Sequence, residues 1–154
     1  MNNKLNQKGI TLVAMIITVI LMLILATLAF RYSKFAIHKS DLENLKTNML
    51  LIQGKARTIY EKYSFKDIDT LVGTEVGEGN ITLTPGVSNK LNSQEGTYYI
   101  LEQSDLNSMG LGSIEVDTES FYIVDYSSFE VYYSIGYTEG NTTYYSLTEL
   151  QALD

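Results

Sequence analysis

The 154-residue chain contains no cysteine, a single histidine (His38) and a single proline (Pro85). Without cysteine it has no disulfide framework, no thiolate metal site and no cysteine nucleophile. A Ser-His-Asp triad would have to recruit His38, which falls in a predicted helix away from the serines of the distal sequence. We therefore predict no catalytic residue, no cofactor and no metal ligand, and we do not expect an enzyme.

Basic residues are scarce in one part of the chain only. Residues 1–66 carry ten Lys and Arg against three Asp and Glu, whereas residues 67–154 carry Lys90 alone against fifteen acidic residues. Because an acidic surface repels a phosphate backbone, we expect no direct nucleic-acid partner. The basic residues near the N-terminus are better explained by a membrane surface.

One long apolar run is present, at residues 10–30. It holds eighteen apolar residues and three threonines, and it carries no charge. A helix of this length is roughly 30 Å long, which matches the hydrocarbon core of a bilayer. A threonine hydroxyl in such a helix can bond the carbonyl oxygen one turn back and so hide its polarity. We predict a transmembrane helix over residues 10–30.

Residues 1–9 form a short polar leader that contains Lys4 and Lys8. A secretory signal peptide has a similar basic start, but its apolar stretch is about 7–15 residues long and ends in a small-residue cleavage site. Here the apolar stretch is longer, and Phe30 and Arg31 stand at its end. The leader therefore differs from an ordinary secretory signal. Positive charge alone does not orient the helix, because basic residues flank both of its ends.

The junction between leader and apolar run reads Lys8-Gly9-Ile10-Thr11-Leu12-Val13. This motif, between a short basic leader and a long apolar helix, resembles the prepilin signal of the type IV pilin and pseudopilin family. The resemblance implies that a prepilin peptidase cuts after Gly9 and that the new N-terminal residue, Ile10, is methylated. It also implies that the residues around the cut are recognised by the peptidase, namely Lys8, Thr11, Leu12 and Val13.

Ala14 departs from the family pattern, which has Glu at this position. In the family this Glu neutralises the N-terminal amine of a neighbouring subunit during assembly, and residues 10–30 contain no acid that could replace it. Two interpretations stay open. The chain is either a minor or tip subunit that does not dock under a preceding one, or a member of a pilin-like lineage without the Glu, similar in its leader to pilin-like proteins of low-GC Gram-positive bacteria.

A heptad seam follows the apolar run. Its members are spaced alternately by three and four residues, and they are Leu42, Leu45, Met49, Ile52, Ala56, Ile59 and Tyr63, continued backwards by Phe35 and His38. The residues between them, including Lys46 and Glu61, are predicted on an exposed face. We predict an amphipathic helix over residues 31–63 that packs on a sheet. A coiled coil of two copies is the alternative, weakened by Ala56 and His38 in the seam.

The remaining sequence predicts a loop region and then a sheet. Residues 64–97 are rich in Gly, Asn, Thr and Ser and hold at most short strands such as 81–83. Residues 98–154 are predicted as an antiparallel sheet with one apolar face and short helices: a helix at 104–110, a hairpin at 120–137, a strand at 144–145 and a helical turn at 147–153. The alternating acids Glu115, Asp117 and Glu119 predict a solvated strand face. The fold class is α+β, with a long N-terminal helix packed on a small antiparallel sheet in a pilin-like roll.

The resemblance implies a structural subunit of a type IV pilus, or of a type II secretion or competence pseudopilus. Its expected partners are prepilin peptidase, other pilin subunits bound through the N-terminal helix, an inner-membrane assembly platform and the lipid bilayer. The expected location is the cytoplasmic membrane, crossed once, with the C-terminal domain outside the cytoplasm, and then a cell-surface filament. The alternative is a membrane-anchored cell-surface binding domain that does not polymerise; a secreted enzyme is disfavoured because catalytic groups are missing.

Overall fold

The computed structural model describes residues 4–77 and 82–153, and it describes their side chains except at positions 4–11 and 29–39. Over these residues the chain is α+β, as predicted, with an antiparallel sheet. The elements in chain order are α1 (Lys4–Ser64), β1 (Thr74–Glu75), α2 (Pro85–Asn92), β2 (Tyr98–Leu101), α3 (Gln103–Ser108), β3 (Tyr122–Asp125), β4 (Val131–Glu139), β5 (Thr142–Ser146) and α4 (Leu147–Gln151).

The chain divides into two compact units, Met1–Asp41 and Leu42–Asp154. Helix α1 has residues in both units, and the second unit also holds the sheet and the other helices. Among the described residues, no helix is both long enough and apolar enough to cross a membrane. The described residues therefore do not show the transmembrane helix that was predicted over residues 10–30. Within that range, the side chains of residues 12–28 are described.

The sheet is a meander in which every strand is antiparallel to its neighbours, in the order β1-β2-β3-β4-β5. Tyr99 of β2 stands opposite Val124 of β3, and Val124 stands opposite Val131 of β4. The predicted hairpin corresponds to β3 and β4, and the predicted strand at 144–145 lies in β5. The β4–β5 register shifts between Tyr132 and Tyr137.

One face of the sheet is covered by the second half of α1. The seam residues Leu42, Met49, Ile52 and Ala56 are buried in one cluster with sheet residues such as Leu101, Val124 and Val131. The prediction that the seam packs on a sheet is therefore confirmed. The seam ends earlier than predicted, because Tyr63 is 42% exposed. Phe35 and His38 lie outside the described side chains.

Lys46 contradicts the predicted exposed face of α1. Its side chain is buried, with a relative exposure of 5% for the residue, and its Nζ lies 3.6 Å from Oε1 of Glu43. Residue 46 follows seam residue Leu45 and precedes Met49 by three positions, so it lies at the border of the buried stripe. A long lysine stem can cover apolar surface while its ammonium group reaches a carboxylate.

The opposite face of the sheet is covered as well, which corrects the prediction of a single apolar face. Val87 and Leu91 of α2 are buried in a second cluster with Ile100, Ile123 and Tyr132. Successive strand residues point to opposite faces, so Ile100 packs towards α2 while Leu101 packs towards α1. Helix α2 lies in the predicted loop region, where no helix was expected. Of the strand predicted at 81–83, residue 81 lies outside the described residues and Leu83 is not in a strand.

The short helices α3 and α4 occupy the predicted positions and begin with capping boxes. In α4 the Ser146 hydroxyl accepts a hydrogen bond from the backbone N–H of Glu149. In return, the Glu149 carboxylate accepts from the N–H groups of Tyr145 and Ser146. The same carboxylate pairs with Lys90 of α2. One acidic side chain therefore caps α4 and links it to α2.

The turn between β3 and β4 is organised by the buried carboxylate of Asp125. It accepts hydrogen bonds from the N–H groups of Thr97 and Ser127 and from the hydroxyls of Ser127 and Ser128. Phe129 follows with a φ of +61°, and its carbonyl oxygen accepts a hydrogen bond from the Gln53 side chain of α1 at 2.9 Å. These bonds hold an otherwise unfavourable backbone conformation in place.

Candidate functional site

The predicted processing junction lies inside α1. Residues 8–14 all fall within the helical range, but the side chains of Lys8, Gly9, Ile10 and Thr11 are outside the described residues. Leu12, Val13 and Ala14 are described, and all three are exposed. The structure therefore gives no geometry for the peptide bond between Gly9 and Ile10, and the predicted cleavage and methylation stay predictions.

A continuous apolar surface follows the junction. Every side chain from residue 12 to residue 28 is exposed, and Met22 reaches 72%. A soluble monomer rarely exposes such a contiguous apolar surface, because each buried square ångström of apolar area is worth about 25 cal/mol. Exposure of this surface to water is therefore unfavourable, and an apolar environment would stabilise it.

The threonines in this segment satisfy their hydroxyl groups locally. Thr18 Oγ1 donates to the carbonyl oxygen of Met15 at 2.8 Å, and Thr27 Oγ1 donates to that of Leu23 at 2.8 Å. These bonds run back about one helical turn, as predicted for an apolar setting. Thr11 lies outside the described side chains. The threonines at 18 and 27 therefore leave the segment compatible with an apolar environment.

The segment carries no acid that could compensate an N-terminal amine. The first turn of α1 contains no acidic residue, and the exposed Ala14 side chain occupies the position at which the pilin family has Glu. A mature N-terminus created at Ile10 would therefore bring a positive charge without a carboxylate in its own segment.

A second exposed apolar surface lies on α1 within the unit Leu42–Asp154. Leu50 and Leu51 are 45% and 48% exposed, and they lie on the side of the helix away from the buried Met49 and Ile52 core positions. Gly54 continues this side, and an added Cβ there would meet nothing within 4 Å. The heptad seam does not predict this surface, although two adjacent leucines beside the seam indicate apolar side chains outside the buried stripe.

Within the described part of the chain, no group of three His, Cys, Asp or Glu residues could hold a metal ion. Glu115, Asp117 and Glu119 lie in a loop rather than on the predicted strand face. Asp117 shapes that loop: hydrogen bonds from the backbone N–H groups of Ser120 and Glu119 hold the pKa of its carboxyl below the usual range.

No model of a known protein family matches the chain, and no curated protein or solved structure matches it either. The resemblance at residues 8–13 therefore depends on the sequence of the junction itself.

Proposed function

We propose that this chain is a structural subunit of a type IV pilus or a related pseudopilus. In this proposal, prepilin peptidase cuts the precursor after Gly9, and the apolar helix then leaves the bilayer to join a filament core. One observation carries the proposal: the motif Lys8-Gly9-Ile10-Thr11-Leu12-Val13 is followed by an apolar helix whose side chains are exposed at every residue from 12 to 28.

The fold supports this proposal in its general layout. An amphipathic half of α1 packs on a five-stranded antiparallel sheet, while Leu50 and Leu51 stay exposed on the other side of the helix. A filament subunit needs one helix face for its own sheet and another for neighbouring helices. Polymerisation would exchange lipid contacts for helix-helix contacts, so it gains little from the hydrophobic effect and needs work from cytoplasmic machinery.

The proposal is tested by the N-terminus of the mature protein. In a host that contains prepilin peptidase, mass spectrometry of the purified chain should show an N-terminal peptide that begins at Ile10 with a methylated amine. Gly9→Val should leave the precursor intact. Gly54→Ala is the matched control, since this glycine has open space around it and should not affect processing. A wild-type chain that keeps residues 1–9 would refute the processing step.

Ala14 favours a second candidate, a membrane-anchored surface domain that does not polymerise. Because the segment lacks an acid for the N-terminal amine, homopolymer formation would have no internal charge compensation. Filament fractions sheared from cells separate the two candidates: a subunit is recovered in them, whereas an anchored domain stays with the membrane. If the chain is a subunit that works without the Glu, the wild-type chain should be recovered in filaments without the Ala14→Glu substitution.

A further inference from the structure

A cleft of about 490 Å³ lies beside the C-terminal end of α1, within the unit Leu42–Asp154. Its lining includes two tyrosines, two carboxylates and two threonines, namely Tyr63, Tyr99, Asp69, Glu75, Thr70 and Thr74. Neither residues 8–28 nor Leu50 and Leu51 line the cleft, so the proposed filament function does not account for it.

The cleft has an aromatic wall held by neighbouring rings. Tyr60 packs edge-on against Phe129 with ring centroids 5.5 Å apart, and Tyr63 follows at 6.5 Å from Tyr60. Tyr99, which also lines the cleft, packs edge-on against Tyr126 with ring centroids 5.4 Å apart. Tyr63 remains 42% exposed at the end of this row. A tyrosine ring that is partly exposed in a cleft can contact an apolar, flat ligand surface.

The polar groups in the cleft are mostly hydrogen-bond acceptors. Asp69 and Glu75 bring carboxylates that accept several hydrogen bonds, and Thr70 and Thr74 bring hydroxyls that accept or donate. Among the described residues that line the cleft, no side chain is basic. An anionic ligand would therefore meet repulsion, whereas a ligand rich in hydroxyl donors would be accepted.

The backbone beside the cleft argues against an extended peptide. The nearest free sheet edge is β1, which is only two residues long (Thr74–Glu75), and strand addition needs a longer row of backbone groups. Gly73 fixes this edge: it has a φ of +110°, and an added Cβ would lie 2.7 Å from the carbonyl oxygen of Ile100. The close approach places Thr74 opposite Ile100 and holds Glu75 at the cleft.

We propose that this cleft binds an uncharged glycan. One pyranose ring places its apolar C–H face on the exposed ring of Tyr63, and its hydroxyl groups donate hydrogen bonds to the carboxylates of Asp69 and Glu75. The aromatic face supplies apolar burial, and the carboxylates supply strong charge-assisted hydrogen bonds that select a polyhydroxylated ligand. The binding class is therefore a neutral hexose polymer.

The test uses the full chain in detergent micelles and titration calorimetry with hexamers of glucose, galactose and N-acetylglucosamine. At least one neutral hexamer should bind, whereas a galacturonate hexamer and a lysine hexapeptide should bind at least tenfold more weakly. Tyr63→Ala should weaken binding about tenfold, and Tyr63→Phe, which keeps the ring, should stay within about threefold of the wild type. Glu75→Gln should also cost about tenfold, as expected for a lost charge-assisted hydrogen bond.

Two control variants leave the cleft intact. Glu115→Gln and Glu139→Gln each remove one exposed carboxylate elsewhere, so they should not change the affinity. The proposal is overturned if no neutral hexamer binds at millimolar concentration, if the galacturonate or the lysine peptide binds as tightly, or if all three carboxylate variants behave alike. If Tyr63→Ala does not fold, the affinity of Glu75→Gln is compared with the affinities of the two control variants, and this comparison decides whether the cleft binds the glycan. None of these outcomes depends on cleavage at Gly9 or on filament formation.

Discussion

The carboxylate of Asp125 accepts a hydrogen bond from the backbone N–H of Thr97 at 2.8 Å, across 28 residues of sequence. This bond ties the turn after β3 to the segment before β2. Asp125 is almost fully buried, and its other hydrogen bonds come from Ser127 and Ser128. The Asp125 side chain therefore accepts hydrogen bonds both from the segment before β2 and from the turn after β3.

We expect the replacement of Asp125 to destabilise the fold in two steps. Asp125→Asn keeps an acceptor oxygen and should lower the free energy of unfolding by about 1 kcal/mol, because the hydrogen bonds lose their charge. Asp125→Ala leaves the buried donors without an acceptor and should cost about 3 kcal/mol. Urea unfolding followed by near-ultraviolet circular dichroism measures both values. Asp67→Asn, at an exposed position, should change little; equal effects of the Asn and Ala variants would contradict this account.

Acid should weaken the fold through the same residue. Burial raises the pKa of the Asp125 carboxyl, but the hydrogen bonds from Ser128, Ser127 and Thr97 outweigh it, and the pKa lies below the usual range. A depressed pKa gives stability that is complete above the ordinary value of about 3.9 and is lost as the pH falls through the folded-state value. The unfolding free energy should therefore fall below about pH 4, and less steeply in Asp125→Asn. Glu115→Gln should keep the wild-type slope.

Three glycine replacements should separate backbone strain from steric overlap. Gly136 has a φ of +69°, and an added Cβ would lie 2.6 Å from Cγ2 of Thr143, so Gly136→Ala should cost about 3 kcal/mol. Gly140 has a φ of +62° with open space, so Gly140→Ala should cost only about 1 kcal/mol. Gly54→Ala lies in α1 with open space and should stabilise by up to about 1 kcal/mol. A different order of the three stabilities would contradict this interpretation.

The carboxylate of Glu149 should matter more than the lysine that it pairs with. Burial raises its pKa, but hydrogen bonds from Lys90 and from the backbone of Tyr145 and Ser146 outweigh this and lower it. Lys90→Met removes one partly exposed ion pair and should cost about 0.5 kcal/mol, a loss that shrinks at high salt. Glu149→Ala removes the same ion pair and also the α4 cap, and it should cost about 2 kcal/mol, most of which persists at high salt. A double-mutant cycle measures the coupling between the two side chains.

The second half of α1 and the hairpin of β3 and β4 could be predicted from the sequence, because a local sequence pattern marks each of them. The seam from Leu42 to Ile59 repeats with the helical period, and the hairpin around Ser127 and Ser128 is rich in the β-branched and aromatic residues that favour strands. In both cases the local pattern and the tertiary burial agree, so the pattern is sufficient.

The second covered face of the sheet could not be predicted in the same way. Helix α2 has only eight residues, which are too few to show a clear helical period. Its first residue is Pro85, and a proline is compatible with the first turn of a helix as well as with a loop. The buried Lys46 and the exposed Tyr63 depend on where the helix meets the sheet edge, which no local pattern encodes. The cleft lined by Tyr63 and Tyr99 joins residues 63–75 to β2 and so exists only in the folded chain.

The hydrogen bond from the Tyr145 N–H to Glu149 has a consequence for crowding. Strand β5 is at the end of the sheet, and a terminal strand with free amide groups is a template for pairing with strands of other molecules. Here the amide of Tyr145 is already used by a side chain of the same molecule. Where many identical domains are held close together, this occupied amide leaves one donor fewer on β5 for pairing with a neighbouring sheet.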